Sequence, residues 1–318
     1  MKLVAIKYTG AAAALCAGLL ACGGGSNNTT PTTLQANPST SWEILTAGDI
    51  AQCNNVLRSS GDSNANKTAQ VVERQLASVG ANSNVLTLGD NAYFVGGPTI
   101  GYVSCYRPTW GRFINKTFAI PGNHDYENGG DNNYYDFFGP AASPAGAGPS
   151  RAGYYRLDQN GWTVFALNSN VDATAASAQV QWLKAQLPTA QPCIAAAWHH
   201  ARFTSAQDGD STRMGDVWAV LEQAKADVVL QSHEHHYERF APMAPDGTLA
   251  AAGGIRSFVV GTGGADKYGF AGVRVGSEKQ IDAYGVMRLT LDAGKAAWRF
   301  IDINDAVLDQ GSLECRKK

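Results

Sequence analysis

Five apolar runs in this 318-residue chain end on side chains that can hold a metal ion. WEILTAGD ends at Asp49 and NVLTLGD at Asp90. KTFAIPGNHD reaches Asn123, His124 and Asp125, CIAAAWHH ends on His199 and His200, and DVVLQSHEH carries His233 and His235. Short apolar runs bounded by turn residues read as buried strands. Ligands of α/β sheets collect beyond the carboxyl ends of such strands. All six histidines (His124, His199, His200, His233, His235 and His236) fall in three of these segments or, for His236, directly after one. Imidazoles confined to strand ends, beside aspartates and an asparagine, point to a metal site over a merely hydrogen-bonded polar rim.

Between the strand-like runs lie amphipathic ones. NKTAQVVERQLASVG reads as a helix closed by Gly80, SAQVQWLKAQLP as a helix ended by Pro188, and STRMGDVWAVLEQAK as a third. GYYRLDQNGWTVFALNS predicts a hairpin turning at Gln159-Asn160-Gly161. RSFVVGTGG, AYGVMRLTLDAG and AAWRFIDI read as further antiparallel strands. With no internal repeat and no second linker, residues 42–318 are expected to form one mixed α/β domain. An apolar fraction of 44 % supports a large core. A formal net charge of -2 gives no basic field for nucleic acid, so an anionic substrate needs local positive charge.

The N-terminus reads differently. Residues 1–21 carry two early lysines and an apolar stretch too short for an ordinary transmembrane helix. Leu19-Leu20-Ala21-Cys22 resembles a bacterial lipobox, which implies cleavage before Cys22 and a lipid anchor on it. The alternative is a plain secretory signal. Residues 22–41 are a polar, flexible tether. The expected location is the periplasm or outer membrane, otherwise secretion. Export permits disulfides. Cys53, Cys105, Cys193 and Cys315 allow three pairings. Cys53–Cys105 and Cys193–Cys315 are favoured: the first pair flanks Gly89-Asp90 and the second ties the tail to a strand. Metal thiolates are the alternative, but no C-x-x-C is present.

Asp49, the Gly89-Asp90 pair, GNHD at Gly122–Asp125, WHH at Trp198–His200 and SHEH at Ser232–His235 together resemble the calcineurin-like metallophosphoesterases in order and spacing. The resemblance spans residues 45 to 239 and implies a four-layer α/β/β/α sandwich with mixed sheets and two metal ions about 3.5 Å apart. Two departures matter. Most of the superfamily has a histidine two residues after the first aspartate; here Ala51 stands there. The purple acid phosphatase branch has the same gap and fills it with a tyrosine three residues after the second aspartate, which here is Tyr93. Ser232 also replaces the usual glycine, at a cost if its backbone needs positive φ.

The resemblance implies Asp49, Tyr93 and His235 on one metal, Asn123, His199 and His233 on the other, and Asp90 bridging. A phenolate and two carboxylates suit Fe(III); imidazoles and an amide oxygen suit a divalent Zn, Fe or Mn ion. Spacing leaves His199 and His200 undecided as ligand, and His199 is preferred. If His233-Glu234-His235 is extended, both imidazoles share one side and Glu234 points away. His124 is expected to bind phosphate or protonate the leaving group, with Asp125 orienting it. His200 is assigned leaving-group protonation or a structural role. His236 reads as structural, and Arg202 and Arg239 as phosphate contacts or surface ion pairs. The implied activity is hydrolysis of a small phosphate monoester by metal-activated hydroxide. Alternatives are a phosphodiesterase or nucleotidase on the same metals, or a non-catalytic surface lipoprotein.

Overall fold

Strands form where the apolar runs lie. In chain order they are β1 (Trp42–Ala47), β2 (Ala51–Gln52), β3 (Ser83–Leu88), β4 (Ala92–Tyr93) and β5 (Thr117–Ile120). Then come β6 (Tyr155–Gln159), β7 (Trp162–Ala166), β8 (Cys193–His200), β9 (Val228–Ser232) and β10 (Tyr237–Phe240). The last are β11 (Arg256–Val260), β12 (Ser277–Ile281), β13 (Gly285–Asp292), β14 (Lys295–Asp302) and β15 (Val307–Glu314). The structure is a computed structural model that describes residues 41–52, 63–93, 100–144 and 148–316. The expected signal segment, Cys22, the tether up to residue 40, and Cys53 lie outside the described residues.

Two mixed sheets carry the fold. The first has the order β15-β14-β13-β1-β3-β5, with β1, β3 and β5 parallel. The second has the order β12-β10-β11-β9-β8-β7-β6, with β7, β8, β9 and β11 parallel. Strands buried on both faces need apolar residues at every position, and β8 shows why. Cys193, Ala195 and Ala197 join the core shared with the first sheet, while Ile194, Ala196 and Trp198 face the other way. There they meet Val180 and Leu183 of helix Ala178–Gln186, and Val217, Trp218 and Leu221 of helix Gly215–Gln223. Helix Asn64–Ser78 packs on the first sheet through Ala69, Val71 and Val72. The result is the four-layer sandwich, with helices outside and sheets inside.

Local chemistry explains the connections. Ser63 caps helix Asn64–Ser78, accepting from Asn66 N at 3.1 Å. That helix ends at Ser78, where Val79 turns extended (φ -110°, ψ 144°), and Gly80 follows without left-handed backbone. The hairpin turns at Asn160 (φ 52°) and Gly161 (φ 80°), the left-handed pair a two-residue hairpin needs. Cys193–Cys315 is a disulfide tying the tail to the start of β8. Cys105 is also disulfide-bonded. No helix among the described residues is long and apolar enough to cross a membrane.

Candidate metal centre

The parallel strands of both sheets end at one place. There the loops lace together: Asp49 N bonds to Gly89 O at 3.0 Å, Ile50 N to Asp90 O at 3.0 Å, and Gly48 N to Val260 O at 2.9 Å. The approach is close enough to require glycine. A Cβ on Gly122 would stand 2.1 Å from Asp90 Oδ1, and one on Gly48 would stand 2.3 Å from Ser232 Oγ. Asp49 (φ 57°), Asp90 (φ 47°) and His233 (φ 74°) sit in the left-handed region, which non-glycine residues seldom adopt. Such strain concentrates where function fixes a side chain's direction.

The donors form two groups. In the first, Tyr93 Oη lies 3.0 Å from Asp49 Oδ1 and 2.9 Å from His235 Nε2, and His235 Nε2 is 3.4 Å from Asp49 Oδ1. In the second, His199 Nε2 lies 3.0 Å from Asn123 Oδ1, 3.1 Å from His233 Nδ1 and 3.4 Å from Asp90 Oδ1. Donor atoms of Asp90, His199 and His233 all lie within 4.8 Å of one another. Asp90 belongs to this second group, and its backbone carbonyl holds the loop that carries Asp49.

This donor set fits cations. His199 Nδ1 faces Leu88 O at 2.9 Å and His235 Nδ1 faces Asp266 O at 2.5 Å. A carbonyl only accepts, so each Nδ1 carries the proton and each Nε2 presents a lone pair to its group. Without a cation the electrostatics are poor. Burial, then Asp49 and Asp90, push the Tyr93 phenol well above its ordinary range. Burial would also raise Asp49, but the imidazoles of His235, His199 and His233 outweigh it and hold the carboxyl low. Burial would lower His199, yet the Asp90 carboxylate lifts it to about 9. Positive charge in the centre would relieve the first of these and replace the protons invoked by the others.

Several side chains sit elsewhere than the sequence led us to expect. The His233–His236 segment is a turn, with His236 N bonded to Glu234 O at 2.7 Å, and is not extended. His233 and His235 therefore serve different groups. Glu234 is buried and receives the Tyr268 hydroxyl at 3.2 Å. Ser232 carries no positive φ; that strain falls on His233, while Ser232 Oγ braces His199 Nδ1 at 2.9 Å. The carboxylate on the His124 ring is Glu127, at 2.9 Å from Nδ1. Asp125 instead accepts from Gly122 N (2.8 Å), Asn91 N (3.2 Å), Asn91 Nδ2 (2.9 Å) and the Tyr102 hydroxyl (2.6 Å). Burial and nearby Asp90 raise its pKa to about 6 despite those bonds.

His200 turns away from the donor groups, its Nδ1 2.7 Å from Ser169 Oγ. Burial, then His199 and His233, depress its pKa strongly, so the ring is neutral. It lines a cleft of about 390 Å³ with Asn123, His233, Glu234, Asp208 and Arg213. His236 is buried against Phe270, with Nε2 3.4 Å from Glu238. Arg239 pairs with Asp309 at 2.8 Å and with Glu278, and Arg202 bonds to Pro245 O at 2.9 Å and stacks on Phe203. Neither lines the cleft. Glu127 and Arg213 carry no motif; Ser169 closes the GYYRLDQNGWTVFALNS segment, and Ser232 stood out as a departure from glycine.

Residues 43–237 match the calcineurin-like phosphoesterase family, and the chain belongs to it. Within that family it lies on the purple acid phosphatase-like branch. It is 27 % identical over 193 residues to purple acid phosphatase 23 of Arabidopsis thaliana, covering 49 % of this chain and 42 % of that protein. It is 33 % identical over 95 residues to purple acid phosphatase 22 of the same plant, covering 27 % and 22 %. The chain thus spans less than half the length of these curated relatives. Among solved structures, purple acid phosphatase PPD1 from yellow lupin (Lupinus luteus) superposes with a TM-score of 0.68 at 18 % identity, over 86 % of this chain and 54 % of that one. GAP50, the anchor in the inner membrane complex of Plasmodium, gives 0.62 at 13 % identity, over 87 % and 90 %. At these identities the superpositions establish the fold alone.

Proposed function

We propose that the protein is an exported phosphatase that hydrolyses small phosphate monoesters with two metal ions. The observation that carries this reading is the pair of adjoining donor groups, linked by the bond from His233 N to Asp49 Oδ2 at 2.9 Å. GAP50 shares the fold and is described as an anchor, so the fold by itself does not imply catalysis, and the reading rests on this chain's own donor set. Asp49, Tyr93 and His235 would hold one ion, Asn123, His199 and His233 the other, and Asp90 both. The oxygen-rich first group suits Fe(III) and the second a divalent Zn, Fe or Mn ion. When bound, the ions supply an activated water and positive charge for the phosphoryl oxygens.

The chain's own groups do the rest. Ser169 Oγ accepts the His200 backbone N–H at 3.1 Å and would give its own proton to His200 Nδ1, the other polar atom it faces. That arrangement puts the ring's single proton on Nε2, where it can donate to the leaving oxygen. Glu127 fixes the His124 ring so that Nε2 stands 3.8 Å from Asp90 Oδ2, beside the position of the phosphoryl group. Asp125 supports the turn that carries Asn123 and His124 and is a positioning residue. Export agrees with the lipobox-like N-terminus, with a lipid anchor at Cys22, and with the Cys193–Cys315 disulfide, which needs an oxidising compartment.

The test is a visible spectrum and metal analysis of the purified protein, followed by turnover of nitrophenyl phosphate and bis-nitrophenyl phosphate. A tyrosinate-to-iron band lost in Tyr93→Phe, two metals per chain and preference for the monoester support the reading. Faster hydrolysis of the bis-ester makes it a phosphodiesterase. A chain that binds metal yet hydrolyses neither ester refutes catalysis.

A further inference from the structure

The cleft beside the second donor group holds one cationic side chain among its lining residues, Arg213. The loop that carries it is anchored to the end of β8, with Ser211 N bonded to Ala201 O at 3.1 Å. This sets Arg213 in the same cleft as His200. The neighbouring arginines are committed. Arg202 bonds to carbonyls of Ser211 and Pro245. Arg274 grips both oxygens of Asp210 at 2.7 and 2.8 Å. Arg213, by contrast, is exposed and forms no ion pair among the described residues. Ions held by the two donor groups would supply the positive charge a scissile phosphate needs, so a separate cation on the His200 side, where the leaving group would depart, is surplus to that phosphate.

We propose that Arg213 selects phosphate esters whose leaving group carries a second anion, a carboxylate or another phosphate. This rests on the phosphatase reading above and specifies its substrate class. A guanidinium suits both anions because its planar fork matches their oxygens. Asp208, Asp210 and Glu234 line the same cleft, with Asp210 paired to Arg274. Their negative charge disfavours a long polyanion, so a single extra anion is the fit.

The test compares metal-loaded wild type, Arg213→Gln and Arg213→Lys by titration calorimetry with ethylphosphonate, carboxyethylphosphonate and ethylenebisphosphonate. An exposed charge-assisted contact predicts about tenfold tighter binding of a doubly anionic ligand by wild type. Arg213→Gln should abolish that ratio and Arg213→Lys should keep part of it. The ratio of kcat/KM between carboxyethyl phosphate and ethyl phosphate should follow the same order. Whichever doubly anionic ligand gains more identifies the second anion. Equal binding of all three ligands by wild type, or an unchanged ratio in Arg213→Gln, overturns the selectivity and leaves the phosphatase reading standing. No binding of any phosphonate by metal-loaded wild type overturns both.

Discussion

Replacing Asp125 separates two roles for the aspartate of the GNHD segment. If it orients a catalytic imidazole, its loss lowers turnover and spares the fold. The structure assigns it instead to four donors: two backbone N–H groups, the Asn91 amide and the Tyr102 hydroxyl. Asp125→Ala strands these donors in the interior. Each stranded donor costs about 1–3 kcal/mol. Asn91 Nδ2 keeps Ile120 O at 3.0 Å, and water entering the space left by the carboxylate would satisfy part of the remainder. A net loss of about 4 kcal/mol is therefore expected, or roughly 8–16 °C in Tm for a domain of this size. Asp125→Asn keeps one acceptor oxygen toward Gly122 and Asn91 while Tyr102 turns to accept from the new amide, so about 1–2 kcal/mol is expected. Denaturant melts of the three proteins, with metal content measured on each, give the answer. An Asp125→Ala protein with wild-type stability and depressed kcat would refute the scaffold assignment.

Other outcomes follow from the same geometry. Gly122→Ala puts a methyl 2.1 Å from Asp90 Oδ1 and should lower metal content and turnover together, read by elemental analysis. Glu238 is buried; burial alone would raise its pKa, but His236, Ser205 and Ser277 outweigh that and hold it low. A carboxyl depressed in the fold stabilises above its unfolded value, about pH 4.3, and loses that contribution as pH falls through the folded pKa. The stability gap between wild type and Glu238→Gln, from denaturant midpoints between about pH 3 and 7, should be flat near neutrality and shrink at the acid end. Cys193→Ser opens a crosslink spanning 122 residues. Its loss should cost about 2–5 kcal/mol, seen as a lower denaturant midpoint in the non-reduced protein.

Much of the fold was legible because doubly buried strands write themselves as predominantly apolar runs; β1, β3, β5, β8 and β9 all did so. The two-residue strands β2 and β4 are too short to show periodicity. The edge strand β15, VLDQGSLE, is too polar to stand out. At the site, strand-end aspartates and histidines were visible as a set, but their division into two groups came from the resemblance. The separate directions of the His199 and His200 rings needed three dimensions: the register between β8 and β9 shifts after Ala197, with one ring toward Asn123 and the other toward Ser169. The acceptors that fix the imidazoles, Leu88 O and Asp266 O, are backbone atoms and have no sequence signature. Arg213 lies in irregular chain, where no pattern marks a functional cation.

The cost of the centre explains why it sits where two sheets meet. Three donors, Asp49, Asp90 and His233, hold left-handed backbone, at about 1–3 kcal/mol each. Buried beside them is a phenol whose ionisation is opposed by both carboxylates. Loops alone would relax from such an arrangement. Here each strained residue is pinned from a second element: Asp49 N by Gly89 O, His233 N by Asp49 Oδ2 at 2.9 Å, and Asp90 Oδ1 by His124 N at 2.9 Å. The first and last link strand ends within the first sheet, and the bond from His233 to Asp49 crosses from the second sheet to the first, so relaxing Asp49 or His233 disturbs the seam between the sheets. The interlocked side chains of the double core resist that movement. The same rigidity keeps like charges close together, and a cation arriving between them recovers free energy that the folded chain has already been made to hold.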